Sequence, residues 1–214
     1  KGLKALKVAN TPLWEVPYLP IDPQDVGRSY EAIIRINSQS GKGGIAYVMA
    51  EDYGIHLPRG LQVEFSTDIQ HITDTEGTEL SPARIHDRFV ERYIAQPGAR
   101  LKFVEHKTVP DAAAKGRRVV EATIVDNGAE VKIEGHGTGP IDGFVEALSR
   151  HLGLELSVLD YSEHSVSRGS DAVAICYLQL EHPGGKVWGV ATNANIVAAS
   201  LEAVVSAVNM IPGL

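Results

Sequence analysis

Only one cysteine, Cys176, occurs in 214 residues, so no internal disulfide can staple the chain, and a reducing compartment is favoured. It sits inside an apolar strand-like run, where a lone thiol reads as core packing. No apolar run approaches the roughly 20 residues of a membrane span, and no signal-peptide pattern opens the text. The expectation is therefore a cytoplasmic protein with no membrane partner. Positive charge is nowhere in excess. Through Gln96 there are 10 Lys/Arg against 13 Asp/Glu, and after it 10 against 14, giving the net charge of −7. Neither half offers a basic face, which argues against a nucleic-acid partner. Metal-ligand spacing is also missing. His56, His71, His86, His106, His136, His151, His164 and His182 form no His-x-His or His-Glu-x-x-His group, and one cysteine allows no Cys-x-x-Cys. No metal site is encoded locally.

What is present is a duplication. From about Arg100 come apolar runs Leu101-Lys-Phe-Val-Glu-His106 and Val119-Val-Glu-Ala-Thr-Ile-Val125, the turn Asp126-Asn127-Gly128, the run Glu130-Val-Lys-Ile-Glu134, a glycine-rich bend, and a helix-period segment from Pro140 to Leu152. The order then recurs: Leu154 to Tyr161, Ala172 to Leu180, the turn His182-Pro183-Gly184-Gly185, Lys186 to Val190, and a helical stretch from Asn195. Glu105-His106 is expected to match Glu163-His164, and Lys132-Ile-Glu-Gly135 to match Lys186-Val-Trp-Gly189. A doubled βββα unit follows, because repeated units bury their faces against one another.

The first half reads differently. Val16-Pro-Tyr-Leu-Pro-Ile-Asp-Pro23 has three prolines in eight residues and predicts a rigid, non-helical strap. Residues 30–36 read as a short strand or a buried helical turn. Ser40 can cap a helix stopping at Gly54, a second helix follows Pro58 with Leu61, Phe65, Ile69 and Ile72 inward, and Ser81-Pro82 opens a third with Ile85, Phe89 and Ile94 inward. With 43% hydrophobic and 22% charged residues the chain suits one or two globular domains and not disorder. The boundary between helical and strand-rich parts falls near Gln96-Pro97-Gly98. The opening, Lys1-Gly-Leu-Lys-Ala-Leu-Lys7, has no capping signal and reads as the interior of a longer polypeptide.

Two glycine-rich strings could meet an anion. Ser40-Gly-Lys-Gly-Gly44 fails the phosphate-loop pattern, with Ile36 where the leading glycine belongs and Gly43 after the lysine, so a plain helix entry stands beside an anion contact. In Gly137-Thr138-Gly139-Pro140, Gly139 can be the N-cap and Pro140 the first helical residue, leaving amides suited to a carboxylate; a plain strand-to-helix turn is the alternative. The second copy has Thr192-Asn193-Ala194-Asn195 there, with Asn195 a natural N-cap. The helix that follows, from Ile196 to Val208, is apolar nearly all round, so it needs cover from its sheet and from a second helix or subunit.

The strings Val16-Pro-Tyr-Leu-Pro-Ile-Asp-Pro-Gln-Asp-Val-Gly-Arg28 and Ile36-Asn-Ser-Gln-Ser-Gly-Lys-Gly-Gly-Ile-Ala-Tyr47 closely resemble the α-isopropylmalate synthase family, particularly its long actinobacterial form. Gly137-Thr-Gly-Pro-Ile-Asp142, Leu159-Asp-Tyr-Ser-Glu-His164 and Val187-Trp-Gly-Val190 extend the resemblance along the chain. It implies an α/β (α+β) architecture in which a mainly helical linker region, residues 1–96, precedes a regulatory domain of two βββα repeats, residues 97–214. It further implies a homodimer, leucine as allosteric effector, and a catalytic (β/α)8 barrel, outside this chain, on the same and the partner subunit. That barrel condenses acetyl-CoA with 2-oxoisovalerate using a divalent metal such as zinc, magnesium or manganese; no cofactor is expected within this chain. Tyr18 would approach the partner's active site as an inhibition relay. The effector pocket would comprise Gly137, Thr138, Gly139, Ile141, Asp142, Val158, Tyr161, Ser165, Ala172, Ala174 and Ile196. Alternatives are a related synthase such as citramalate synthase sensing isoleucine, a free-standing amino-acid-sensing module, and a nucleotide-binding enzyme using Ser40 to Gly44.

Overall fold

A computed structural model describes residues 8, 21–27, 42–77, 79–166 and 172–214. The chain forms two compact units, Lys1–Ile34 and Arg35–Leu214. Among the described residues of the first is a 3-10 turn, Pro23–Val26. Tyr18, the predicted element at 30–36 and Ser40 lie outside the described residues.

The second unit begins with helices. Helix α1 (Lys42–Tyr53) stops at Gly54, whose φ of 67° lets its own amide and that of Ile55 turn back to the carbonyls of Ala50 and Met49 at 3.1 and 2.9 Å. Helix α2 (Arg59–Glu76) buries Leu61, Phe65 and Ile69. Helix α3 (Pro82–Phe89) is capped by Ser81, which accepts the Arg84 amide at 3.3 Å. The sequence pattern placed Ile94 in the core, but Tyr93 is buried there and Ile94 is only half-buried. Tyr93 continues the i, i+4 line through Ile85 and Phe89 as the helix widens into a π-helical turn, Val90–Ala95. Its hydroxyl donates to Glu64 at 2.8 Å, so the ring is buried with its polar tip satisfied.

The expected duplication follows. Strands β1 (Leu101–Pro110), β2 (Arg118–Asp126) and β3 (Ala129–Gly137) form an antiparallel sheet in that order, followed by helix α4 (Pro140–Leu152). Strands β4 (Ser157–Ser165), β5 (Ala174–His182) and β6 (Gly185–Asn193) repeat it, followed by helix α5 (Ile196–Asn209). The β2–β3 hairpin turns at Asn127 and Gly128, both at positive φ, as an Asn-Gly pair favours.

Starts of β2 and β5 (118, 174), of β3 and β6 (129, 185) and of α4 and α5 (140, 196) each differ by 56. The first strands also start 56 apart, at 101 and 157, but their pairing with β2 and β5 is offset by 55. Each is bulged, at Val104 and at Leu159, a difference of 55. Two sequence matches are therefore corrected. Glu105 pairs with Thr123 but Glu163 with Cys176, so Glu163 stands where Thr108 stands in the first copy. Gly135 pairs with Val120 but Gly189 with Leu178, two residues out of step. Each glycine serves the same physical end at a different height. A Cβ at Gly135 would strike the backbone of Gly143 and Ala147 on α4, and one at Gly189 the backbone of Ala203 and Ala207 on α5.

One core joins the copies. Leu101, Val120, Phe144 and Leu148 from the first cluster with Leu178, Leu201, Val204 and Val208 from the second. Asn209, at the end of α5, accepts the Leu101 amide and donates to the Leu101 carbonyl at 2.9 and 3.0 Å, stitching this helix to β1. Its Ser206 hydroxyl donates to the Tyr93 carbonyl at 2.6 Å. The apolar girth of α5 is thus covered within the chain on several sides, and does not by itself require a second subunit. The outer faces of the sheets differ. Ile175, Tyr177, Trp188 and Val190 are buried, with Trp188 against Gly60 of α2, whereas their first-copy counterparts are Val119, Glu121, Lys132 and Glu134.

Candidate functional site

The predicted pocket residues fall into two groups, one on each copy. The first is the entry to α4. Gly137 ends β3 in backbone contact with that helix, because a Cβ there would lie 2.8 Å from both the Asp142 carbonyl carbon and the Gly143 Cα. Gly139 is the N-cap in extended geometry and Pro140 the first helical residue, as expected. The Gly143 amide already returns to Gly139, at 3.0 Å. Pro140 has no N–H, so the helix start offers the amides of Ile141 and Asp142, and no side chain caps them. The Asp142 carboxylate is occupied on its other side: it accepts the Thr138 amide at 2.8 Å and the Thr138 hydroxyl at 3.2 Å. The same arrangement holds the bend rigid.

The entry to α5 is finished differently. Asn195 accepts the amides of Val197 and Ala198 at 2.9 and 3.1 Å, and Asn193 accepts the Asn195 amide at 2.8 Å. Of two equivalent helix starts, the second is closed by its own side chains and the first is left open.

The second group faces α5. Val158 pairs with Leu180, Tyr161 with Leu178 and Ser165 with Ala174, so all four lie on the sheet face that α5 covers, since paired residues share a face. Ala172 and Ala174 are half-buried at the start of β5. Val158, Tyr161 and Ile196 remain 38%, 38% and 47% exposed. The Tyr161 hydroxyl lies 2.9 Å from Ser200 Oγ, which itself donates to the Ile196 carbonyl at 2.9 Å, so Tyr161 and Ile196 are joined through Ser200. It also bonds Glu163. Burial first, and the Glu163 bond second, push the Tyr161 phenol above its ordinary value, so it stays a donor. Cys176, beneath them, is pushed up to about 11 by burial and is unreactive core, as read from the sequence.

Glu163 and Ser200 were not singled out from the sequence. The signal for Glu163 was its two-residue spacing from Tyr161, which puts both on one strand face. Ser200 sits one helical turn after Ile196, but its link to Tyr161 spans 39 residues. The largest concavity among the described residues lies elsewhere, on the outer face of the first sheet, where Glu105, Lys107, Glu121, Lys132 and Glu134 interleave opposite charges. Its charged side chains of both signs can satisfy one another, and we attach no ligand to it. Among the described residues no group of three or more His, Cys, Asp or Glu could hold a metal ion, and no helix is long and apolar enough to cross a membrane.

Two βββα units sharing one core, each ending in a helix laid on its own sheet, define a duplicated α/β domain. The chain belongs to the LeuA allosteric (dimerisation) domain family, whose model matches residues 79–212. Residues 1–50 match the alpha-isopropylmalate synthase, post-catalytic domain-like model. The chain is 71% identical, over its full length, to 2-isopropylmalate synthase of Mesorhizobium japonicum, and 67% identical over 99% of its length to that of Agrobacterium fabrum. Against 2-isopropylmalate synthase of Mycobacterium leprae it is 48% identical over 98% of its length. It spans 38% of each of the first two relatives and 35% of the third.

Proposed function

We propose that this chain is the leucine-sensing regulatory portion of a homodimeric 2-isopropylmalate synthase, the enzyme that condenses acetyl-CoA with 2-oxoisovalerate. Condensation, and the divalent metal it uses, belong in this reading to a barrel in the remainder of such a protein. The observation that carries the reading is the asymmetry of the helix entries. A free amino acid needs donors for its carboxylate, and the Ile141 and Asp142 amides are uncapped while those of Val197 and Ala198 are taken. Val158, Tyr161 and Ile196 supply apolar cover for an isobutyl group, and Ala172 and Ala174 leave space for it. Glu163, which has no cationic partner among the described residues, offers a carboxylate to the ammonium. Because the two groups stand on different copies of the unit, the effector sits where surfaces meet, between copies or between protomers.

Tyr18 carries inhibition to the partner's active site. Calorimetric titration with leucine, isoleucine and valine tests the reading. Leucine should bind tightest: valine, one methylene shorter, should be weaker by roughly 10- to 200-fold, since one methylene in an apolar pocket discriminates by about 1–3 kcal/mol, and isoleucine, the same size but branched at Cβ, should be weaker by misfit. Preference for isoleucine would assign the domain to a citramalate synthase-like enzyme, and no binding of any of the three would remove the sensing role.

A further inference from the structure

Strand β4 has two faces with different company. Tyr161, Glu163 and Ser165 point to the α5 side, so His164, between the last two, points the opposite way. There its Nε2 lies 3.1 Å from the Gly54 carbonyl oxygen and 3.3 Å from the His56 amide nitrogen. Its ring stacks on Tyr177, with centroids 5.6 Å apart and planes inclined by 23°, and meets the His56 ring at 5.1 Å. Gly54 is the left-handed residue that stops α1. A Cβ there would come within 3.4 Å of the Val166 carbonyl, so the exit of β4 and the corner after α1 approach backbone to backbone.

The joint has two ways to be bonded. One nitrogen cannot donate to Gly54 and accept from His56 at once; each tautomer of the imidazole satisfies one of the two. Burial, foremost, holds the ring below its ordinary value, so at neutral pH it is neutral and both tautomers are accessible. Below it, the Tyr177 hydroxyl is buried without a hydrogen-bond partner among the described residues. A joint that is placed by stacking yet leaves polar groups unsatisfied has alternative arrangements close in energy, which is what a coupling element requires.

We propose that His164 is a positioning residue for regulation, coupling the effector face of β4 to the corner that ends α1. It touches the effector at no point. Its neighbours Glu163 and Ser165 face the effector, and a shift of the strand on that side re-aims His164 against Gly54 and His56. Helix α1 lies partly within residues 1–50, the segment matching the post-catalytic domain. The inference rests on the leucine-site reading above.

The test uses the full-length synthase carrying this chain, with His164→Phe and His164→Gln compared for leucine binding by calorimetry and for leucine inhibition of turnover. Both variants should bind leucine within about twofold of the parent. Phenylalanine keeps the stack but neither polar contact, and should raise the half-maximal inhibitory leucine concentration about tenfold or more. Glutamine, whose amide can reach Gly54 or His56, should keep inhibition within about threefold. A packing role alone predicts the reverse order, with phenylalanine tolerated and glutamine not, and that order would overturn the proposal. So would parental inhibition in both variants, or lost leucine binding in both while the parent binds. A parent that binds no leucine removes the effector reading and this inference with it. Should the phenylalanine variant not fold, His164→Asn, too short to reach either partner, replaces it with the same expectation.

Discussion

Gly137 and Gly139 are two residues apart in the same bend, yet alanine should have unequal consequences at them. At Gly137 the new Cβ would sit 2.8 Å from the Asp142 carbonyl carbon and the Gly143 Cα, and closer still to the Gly143 amide. Ordinary contact begins near 3.4 Å, so relieving the nearest contact, with the Gly143 amide nitrogen, requires the start of α4 to withdraw by about 1 Å, and every obstructing atom is backbone that cannot rotate aside. Overpacking of this kind costs about 1–3 kcal/mol, and the rigid obstruction places Gly137→Ala in the upper part of that range. At Gly139 the backbone is extended and a Cβ would meet nothing within 4 Å, so alanine costs only the poorer cap, about 1 kcal/mol or less. Urea unfolding of both variants measures the stabilities, and calorimetry with leucine measures the site. Displacing the Ile141 and Asp142 amides should weaken leucine about tenfold or more in a folded Gly137→Ala protein, because hydrogen bonds to a charged group are worth about 1.5–3 kcal/mol each. A Gly137→Ala protein within about 0.5 kcal/mol of the parent would refute the close approach. One that is folded and binds leucine as the parent does would refute the placement of the carboxylate.

Three further outcomes are expected. Asp126 is held down to about 2 by Arg100, which bonds both its oxygens at 2.6 and 3.0 Å, with His151 adding a bond at 2.8 Å. A carboxyl depressed on folding stabilises above its unfolded value and loses that contribution as pH falls toward the folded one. Asp126→Asn should therefore cost about 1–2 kcal/mol at pH 7, after allowance for the solvent around Arg100, and the difference should shrink between about pH 4 and pH 2; an undiminished difference at pH 2 contradicts the assignment. Cys176 should resist a thiol reagent such as Ellman's at pH 8 until denaturant is added, because its thiol is buried and pushed up to about 11; rapid labelling of the native protein would show that α5 opens locally. Sedimentation at micromolar concentration should show a dimer, with the uncovered side chains of Val158, Tyr161 and Ile196 as part of what it buries, and Tyr161→Glu should shift the population to monomer.

What the sequence by itself determined is local. Gly139 before Pro140, Asn195 before an apolar helix, Ser81 before Pro82 and Asn127-Gly128 between apolar runs all express preferences of a few adjacent residues, and each appears where its chemistry put it. The doubling was legible for the same reason, as was the likeness to 2-isopropylmalate synthases, from long matching strings. Tertiary structure decided the rest. Matching Glu105 to Glu163 failed because pairing, not resemblance of short strings, sets register: paired positions of the two first strands lie 55 residues apart, whereas Glu105 and Glu163 are 58 apart, three residues out of step. The apolar outer face of the second sheet could be read in Ile175, Tyr177, Trp188 and Val190, but that Gly60 of α2 would meet Trp188 there could not. Likewise Glu163, Ser200 and His164 gain their meaning only across the fold, His164 by meeting residues 108 and 110 positions away. Local preference costs no chain closure and is written in neighbouring letters. Contacts at such separations exist only after the whole core has closed, and no short window of sequence records them.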